Sequence, residues 1–519
     1  MHIIDLFDRG ARINPNGPML AGAGGEVSYR DGQAMTMRIA RALKAGGFGV
    51  STPFAVFSPN NSQAMIALLG GLRAGGAWCN INLRNGLEAN IDVLGRGGCR
   101  VLFYDASTVD MVRQMLPKVP SIEFAVCLNG PGLDGVSLDS FMAGQDGAYE
   151  HWEHDAMAIG FQGSTGGTTG LPKITRSTNG FLLYNTLGWM TVWSFDRQPV
   201  NLAVAPITHA AGMIALGHFA VGGTVVMMDK VDLGELLDHI ERDRVTTLFL
   251  PPTIIYMLLA HPSAKGRDYS SLRYVISAAA PIAPQKIVEG IALFGPVMAQ
   301  SFGQTESGFP LTWMSPAETV EAARDPGKRH RLLSCGRPVM TVEAVEFMDE
   351  QGRLLGPNEK GEMVVRGPAV MQGYLNDEKA SAEARRFGWH HSGDVGYRDE
   401  DGYIYIVDRI RDMVVSGGFN VFPFEIEQVL MKHPAVQDCA VIGVPDEKWG
   451  EAVKAVVQLN VGANTGAEEL IAFARQELGG MKAPKSVDFV DSLPRSAVGK
   501  VLKREIRKKY WEGRDRAVS

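Results

Sequence analysis

Apolar runs and amphipathic stretches alternate along the first three hundred residues. FAVFSP (54–59) is followed by SQAMIALLGGLRAGG, whose apolar spacing predicts an amphipathic helix. VLFYD (101–105) precedes a polar helical stretch, and FAVCL (124–128) follows soon after. NLAVAP (201–206), GTVVMM (223–228), TTLFLPP (246–252) and YVISAA (274–279) continue the series, with helix-like segments between them. Continuous apolar strands separated by helices predict mainly parallel sheets covered by helices, an α/β architecture. Ligands on such sheets bind where loops leave the carboxyl ends of the strands.

From about residue 332 the texture changes to short alternating runs punctuated by QG and DG dipeptides, which are hairpin signals. These predict a smaller β-rich subdomain over 332–408, within a large N-terminal domain spanning 1–410. Residues 411–519 then read as a small α+β domain: a strand, the helix EIEQVLMKHP, strands CAVIGV and KAVVQL, and a helix from Thr465. The length of 519 residues suits this multi-unit organisation.

Composition narrows the class. A net charge of −6 leaves no electrostatic footprint for nucleic acid. No stretch of about twenty residues stays apolar, which argues against a membrane span. The N-terminus, with acids where a secretory signal would carry basic residues, reads as mature sequence. Five scattered cysteines (Cys79, Cys99, Cys127, Cys335 and Cys439) lack any C-x-x-C pairing. They predict buried free thiols in a reducing, cytoplasmic compartment.

The chemistry starts at GSTGGTTGLPK, Gly163 to Lys173. Its four glycines allow backbone N–H groups to turn toward phosphate oxygens, while hydroxyls and one lysine add donors and charge. It is not a Walker A loop, because Lys173 follows Pro172 and no Ser or Thr follows the lysine. A solvated Gly/Ser/Thr linker has the same composition. What favours the functional reading is the series that follows in order: SAAAP, SFGQTE (301–306), HHSGD (390–394), DRIRDMVVSGGFNVFPFEIE (408–427) and PRSAVGKVLKRE, which contains Lys500.

On these motifs the chain resembles the adenylate-forming superfamily, which contains acyl- and aryl-CoA synthetases, firefly-type luciferases and peptide-synthetase adenylation domains. The resemblance implies a large domain, a mobile C-terminal domain and a two-step reaction using ATP, Mg²⁺ and coenzyme A. In it, a carboxylate and ATP give an acyl-adenylate and pyrophosphate, and a thiol then displaces AMP. It further implies that Ser164, Thr165, Thr168, Thr169 and Lys173 hold phosphates, and that Glu306, beside Thr305, carries the metal. Phe302 and Gly303 would meet the adenine, where the family more often has tyrosine in place of Phe302, and Ala279, Ala280 and Pro281 would wall it. Asp394 would bind the ribose hydroxyls and Arg409 the ribose–phosphate region. Lys500 would bridge the carboxylate and the α-phosphate. Arg411 falls at the hinge, where the family commonly has Asp or Lys. Gly417 and Gly418 would flank the pantetheine tunnel. His209, Ala210, Ala211 and Gly212, in APITHAAGM, would line the acid pocket.

Each assignment has a bland counterpart: Glu306 as a loop acid, Phe302 as core, and Asp394–Arg409 as a surface ion pair. Likewise, Lys500 is one more lysine in a basic tail, His209 a structural histidine, and the glycine pair a tight turn. Two departures stand out: Ile174 occupies a family glycine position, and ITRSTNG lacks the family's following histidine. The small apolar pocket residues point to a hydrophobic acid, aryl or medium-chain fatty. Free CoA is the expected thiol, with a carrier protein or a non-catalytic nucleotide binder as alternatives. Oligomeric state is left open, and a homodimer is compatible.

Overall fold

The computed structural model describes residues 1–165, 172–416, 419–495 and 501–512. Two large sheets dominate. The seven-stranded sheet is assembled around Pro53–Phe57, with Ala77–Cys79 on one side and Val101–Tyr104 on the other, all parallel. The nine-stranded sheet has a parallel centre of Thr224–Met227, Val200–Ala203, Thr247–Leu250, Tyr274–Ser277 and Met298–Gln304. Antiparallel strands Gly308–Met314 and Arg337–Pro338 extend one edge. The expected α/β fold is therefore present.

One expectation changes. The helix at Ser62–Arg73 reads as amphipathic, yet every residue except Gln63 is buried. Its side chains share one apolar cluster with strand residues of both large sheets, among them Phe54, Phe103, Leu20 and Val225. A helix held between two sheets needs no polar face. Close packing explains its glycine pair: a Cβ on Gly70 would lie 2.6 Å from Ile39, and one on Gly71 would lie 2.4 Å from Phe54. Where the helix ends, buried Arg73 donates to both carboxylate oxygens of buried Asp8, at 3.0 and 2.5 Å, and its Nε donates to Thr36 Oγ1 at 3.1 Å.

The β-rich segment forms a four-stranded antiparallel sheet of Ala344–Met348, Gly361–Arg366, His390–Arg398 and Ile404–Arg409. Two short strands within or beside it in sequence join the large sheets instead. Arg337–Pro338 completes the nine-stranded sheet, and Gly373–Tyr374 pairs with Thr175–Thr178 of the seven-stranded one. A last sheet, Val414–Ser416, Phe419–Val421, Val436–Asp446, Gly450–Leu459 and Ser486–Phe489, packs against helices Pro423–Leu430 and Ala467–Lys482.

All five cysteines are free; four are buried, and Cys335 is only partly enclosed. Burial pushes the Cys79 and Cys335 thiols up to about 12, so neither is a ready nucleophile. No helix among the described residues is long and apolar enough to cross a membrane.

Candidate active site

The glycine-rich stretch closes a hairpin. Strand Ile159–Gln162 enters it and Thr175–Thr178 leaves it antiparallel, with Ser164 bridged to Ile174. The Thr165 N–H donates to the Lys173 carbonyl at 2.8 Å, and the Gly163 N–H donates to Thr175 Oγ1 at 3.0 Å. A strand-to-strand turn differs from the strand-to-helix turn of a Walker A loop, as the sequence implied. Three side chains pin its base. Ser164 N–H meets Asn80 Oδ1 at 2.5 Å, Ser164 Oγ donates to the Asn80 carbonyl at 3.2 Å, and Arg96 donates to the Pro172 carbonyl at 2.5 Å. Ile174 buries its side chain against Cys79 and Tyr104, a packing role that a glycine there could not fill. Thr168 and Thr169 lie outside the described residues.

The SFGQTE turn sits directly against this hairpin: a Cβ on Gly163 would be 2.2 Å from Thr305 Cγ2. Gly303 is required by a similar approach, because its Cβ would come within 2.5 Å of the Gly308 carbonyl. Phe302 packs against the apolar cluster of Leu311, Val345 and Phe347. Glu306 is partly enclosed and accepts a hydrogen bond from the Tyr374 hydroxyl at 3.3 Å. Desolvation raises its carboxyl above the ordinary range, and the charge of Arg409 acts in the opposite direction.

Tyr374 connects two motifs. Its strand pairs with the hairpin's outgoing strand, its hydroxyl meets Glu306, and the Lys173 ammonium stands 4.7 Å above its ring. Beside it, Asp394 and Arg409 face each other across neighbouring strands, with Arg409 Nε 3.1 Å from Asp394 Oδ1. Asp394 is 2% exposed, whereas the Arg409 side chain is about half exposed, so the pair is not a surface ornament. Gln304 donates to the Asp394 carboxylate and to the Ser392 carbonyl. The Asp394 charge raises the Arg409 pKa.

The APITHAAGM motif starts the helix Ala210–Ala220, with His209 at its N-cap. Thr208 Oγ1 and His209 Nδ1 are hydrogen-bonded at 3.1 Å, and desolvation lowers the imidazole to about 4, so it stays neutral. Ala211 is buried and Ala210 partly so, both against the aromatic cluster around Trp189. Gly212 serves packing first, since a Cβ would lie 2.0 Å from the Ile207 carbonyl. Ala279, just past the strand Tyr274–Ser277, has φ +72°, a left-handed conformation uncommon for alanine. Ala280 beside it is partly exposed, and Pro281 is exposed. An open groove of about 880 Å³, lined by Val192, Arg273, Tyr274 and Ser315 among others, lies at the opposite, amino end of that strand and holds none of these residues.

Arg411 is exposed in the turn between Ile404–Arg409 and Val414–Ser416. Around it, Asp408 accepts from the Phe424 N–H at 3.0 Å, Lys503 contacts Glu427 at 2.8 Å, and Arg507 pairs with Asp412. Gly417, Gly418 and Lys500 lie outside the described residues. Arg495 and Val501 form an antiparallel bridge, and Arg495 Nη1 donates to Thr253 Oγ1 at 3.1 Å, beyond the carboxyl end of Thr247–Leu250.

Sequence reasoning missed Tyr374, Gln304 and Asn80. Gln304 lay inside a recognised motif, but Asn80 and Tyr374 carry no local pattern, since their roles exist only through strand pairing. For Mg²⁺ the donor chemistry fits. Among the described residues no group of three or more His, Cys, Asp or Glu forms a cage. A cation at Glu306 would complete its shell with phosphate oxygens and water, the habit of Mg²⁺.

The glycine-rich hairpin, the SFGQTE turn with Glu306, Tyr374 and the Asp394–Arg409 pair therefore lie side by side. The AMP-binding enzyme family model matches residues 7–375, and the AMP-binding enzyme C-terminal domain matches 425–500. The chain belongs to this adenylate-forming family and is an AMP-forming acid–thiol ligase of the acyl-CoA synthetase kind. It is 33% identical over 513 residues to a feruloyl-CoA synthase of Amycolatopsis sp, covering 97% of this chain and 98% of that protein. It is 34% identical over 513 residues to a medium/long-chain-fatty-acid–CoA ligase of Mycobacterium tuberculosis, covering 95% and 87%. Among solved structures, an amide bond synthetase from Marinactinospora thermotolerans superposes with a TM-score of 0.88 at 28% identity, covering 98% of this chain and 100% of that one.

Proposed function

We propose that the protein is an ATP-dependent carboxylate–CoA ligase acting on a hydrophobic aryl or medium-chain fatty acid. The reaction is acid + ATP + CoA → acyl-CoA + AMP + pyrophosphate. The observation that carries this reading is the approach of Thr305 to Gly163, which brings the SFGQTE turn, with Glu306, against the base of the glycine-rich hairpin.

A carboxylate is a poor acyl donor because its leaving group would be oxide or hydroxide; adenylation replaces that with AMP. Both reactants are anionic, so their approach needs fixed positive charge and aligned donors. In this reading Lys173 and the hydroxyls of Thr165, Thr168 and Thr169 hold the β and γ phosphates, while Ser164 anchors the hairpin to Asn80. Glu306 would hold Mg²⁺, which supplies charge neutralisation for phosphate oxygens. Asp394 accepts from the ribose hydroxyls, oriented by Gln304 and Arg409. Ala279, Ala280, Pro281, Phe302 and Gly303 bound the adenine. Neutral His209 can hydrogen-bond near the acid's carboxylate without adding charge, and Ala210 and Ala211 leave room for its apolar body.

Lys500 bridges the carboxylate and the α-phosphate as charge moves onto the bridging oxygen. Residues 411–519 then reorient about Arg411, and Gly417 and Gly418 flank the incoming pantetheine. The free cysteines support a reducing, cytoplasmic setting.

The test incubates the protein with ATP, Mg²⁺ and a panel of aromatic and aliphatic acids, with and without CoA. Pyrophosphate release with stoichiometric loss of CoA thiol is expected. Acyl-AMP accumulating regardless of CoA would assign the thiol to a carrier protein, and ATP binding without product would remove the enzymatic reading.

A further inference from the structure

Arg495 stands where the two parts of the chain meet. It forms an antiparallel bridge with Val501, the residue directly after Lys500, and so marks the base of the segment that carries that lysine. Its guanidinium reaches two ways: Nη1 donates to Thr253 Oγ1 at 3.1 Å, and Nη2 pairs with the Asp438 carboxylate. Asp438 Oδ1 accepts the Cys439 N–H at 2.8 Å, so the carboxylate is fixed on its strand, Val436–Asp446, and holds the planar fork in place. The Arg495 and Asp438 side chains are 28% and 24% exposed, which limits the screening of the pair by water.

Thr253 lies in the first turn of the helix Pro252–Ala260, directly past the strand Thr247–Leu250. One turn on, the Tyr256 hydroxyl accepts the Ala283 N–H at 2.9 Å, which ties this helix to the loop continuing from Ala279, Ala280 and Pro281. Burial pushes the Tyr256 hydroxyl up to about 12, and the charge of Asp438 nearby acts in the same direction.

The two contacts of Arg495 respond differently to a reorientation of residues 411–519. Asp438 travels with Arg495, whereas Thr253 stays with the large N-terminal part. A contact made in one orientation only shifts the balance toward that orientation. The Asp438 pair cannot do this; the hydrogen bond to Thr253 can.

We propose that Arg495 is a positioning residue for adenylation: its guanidinium, aimed by Asp438, docks the Lys500-bearing segment on Thr253 and favours the orientation in which adenylation proceeds. The inference rests on the carboxylate–CoA ligase reading and assigns this contact to the first of its half-reactions.

The experiment measures both half-reactions in the full chain: ATP–pyrophosphate exchange with a competent acid, and thioester formation from supplied acyl-adenylate and CoA. Exchange should fall about tenfold to a hundredfold in Arg495→Met and about tenfold in Thr253→Val, which keeps the side chain's shape and the Asp438 pair. Thioester formation should stay within about twofold of the parent rate, and the double variant should be no worse than Arg495→Met, because no shared contact is left to lose. Hydrogen exchange over residues 252–260 reads the docking without turnover, and its protection should fall in both single variants. Exchange unchanged in Thr253→Val, equal losses in the two half-reactions, additive losses in the double variant, or unchanged protection overturns the inference and leaves the ligase reading standing. A parent protein that forms neither pyrophosphate nor thioester with any acid removes the ligase reading and, with it, the role in adenylation.

Discussion

Tyr374 shows what a single residue contributes. One ring spans the cation of the hairpin and the carboxylate proposed for the metal, through a hydroxyl 3.3 Å from Glu306 and a face 4.7 Å from Lys173. Tyr374→Phe keeps the ring under Lys173 and removes the hydroxyl. The Mg²⁺ concentration giving half-maximal pyrophosphate release should rise several-fold, with the affinity for ATP alone little changed, because a hydrogen bond to a charged group contributes about 1.5–3 kcal/mol. An unchanged Mg²⁺ requirement would refute the bridging role. The neighbouring motif residues were legible because each sits in a recognisable run, as Glu306 does in SFGQTE and Asp394 in HHSGD. Tyr374 was not, since nothing in MQGYLN signals that a two-residue strand will lie beside Thr175.

Elements were legible where their surroundings matched their pattern. Fully buried parallel strands such as Val101–Tyr104 and Thr247–Leu250 read as continuous apolar runs because both faces are covered. Strands of two residues, such as Arg337–Pro338, have no periodicity to read. The helix Ser62–Arg73 misled because contact with two sheets, not solvent, decides its faces. Its buried end exposes a vulnerability. Asp8→Ala would strand the Arg73 guanidinium in the core, and urea unfolding should show a loss of about 3–5 kcal/mol; replacing both partners with apolar residues should cost much less. Equal losses in the two variants would show that the ion pair itself, not the unpaired charge, sets the penalty. At the other junction, Asp408, Asp412, Glu427, Lys503 and Arg507 surround the turn that contains Arg411. Arg411→Pro fixes φ there. Adenylation, read by ATP–pyrophosphate exchange, should persist while thioester formation falls at least tenfold; parallel losses in both half-reactions would remove the hinge assignment.

Across the molecule, three histidines besides His209 are folded away in their neutral form. Burial lowers His218 and His390 to about 4 and His2 to about 3, from an ordinary 6.5. As pH falls below 6.5 the unfolded chain takes up these protons and the folded one does not, so stability falls with pH down to about 4. Each histidine contributes a slope of up to about 1.4 kcal/mol per pH unit in that window. Urea midpoints measured from pH 7.5 to 5 should drop, and His390→Phe should flatten the slope; an identical slope in that variant would contradict the assignment. At this scale the sequence disclosed the succession of sheets and the order of motifs along the chain. It could not disclose the lateral joins that build the site, such as Thr305 against Gly163, because those depend on strands far apart in sequence.

The most direct test of the account is the adenylation half-reaction of Lys500→Ala, followed by ATP–pyrophosphate exchange with a competent acid. If one terminal ammonium lets two anions react, exchange should fall about a hundred- to a thousand-fold, while thioester formation from supplied acyl-adenylate and CoA continues. Exchange at the parent rate would contradict the account.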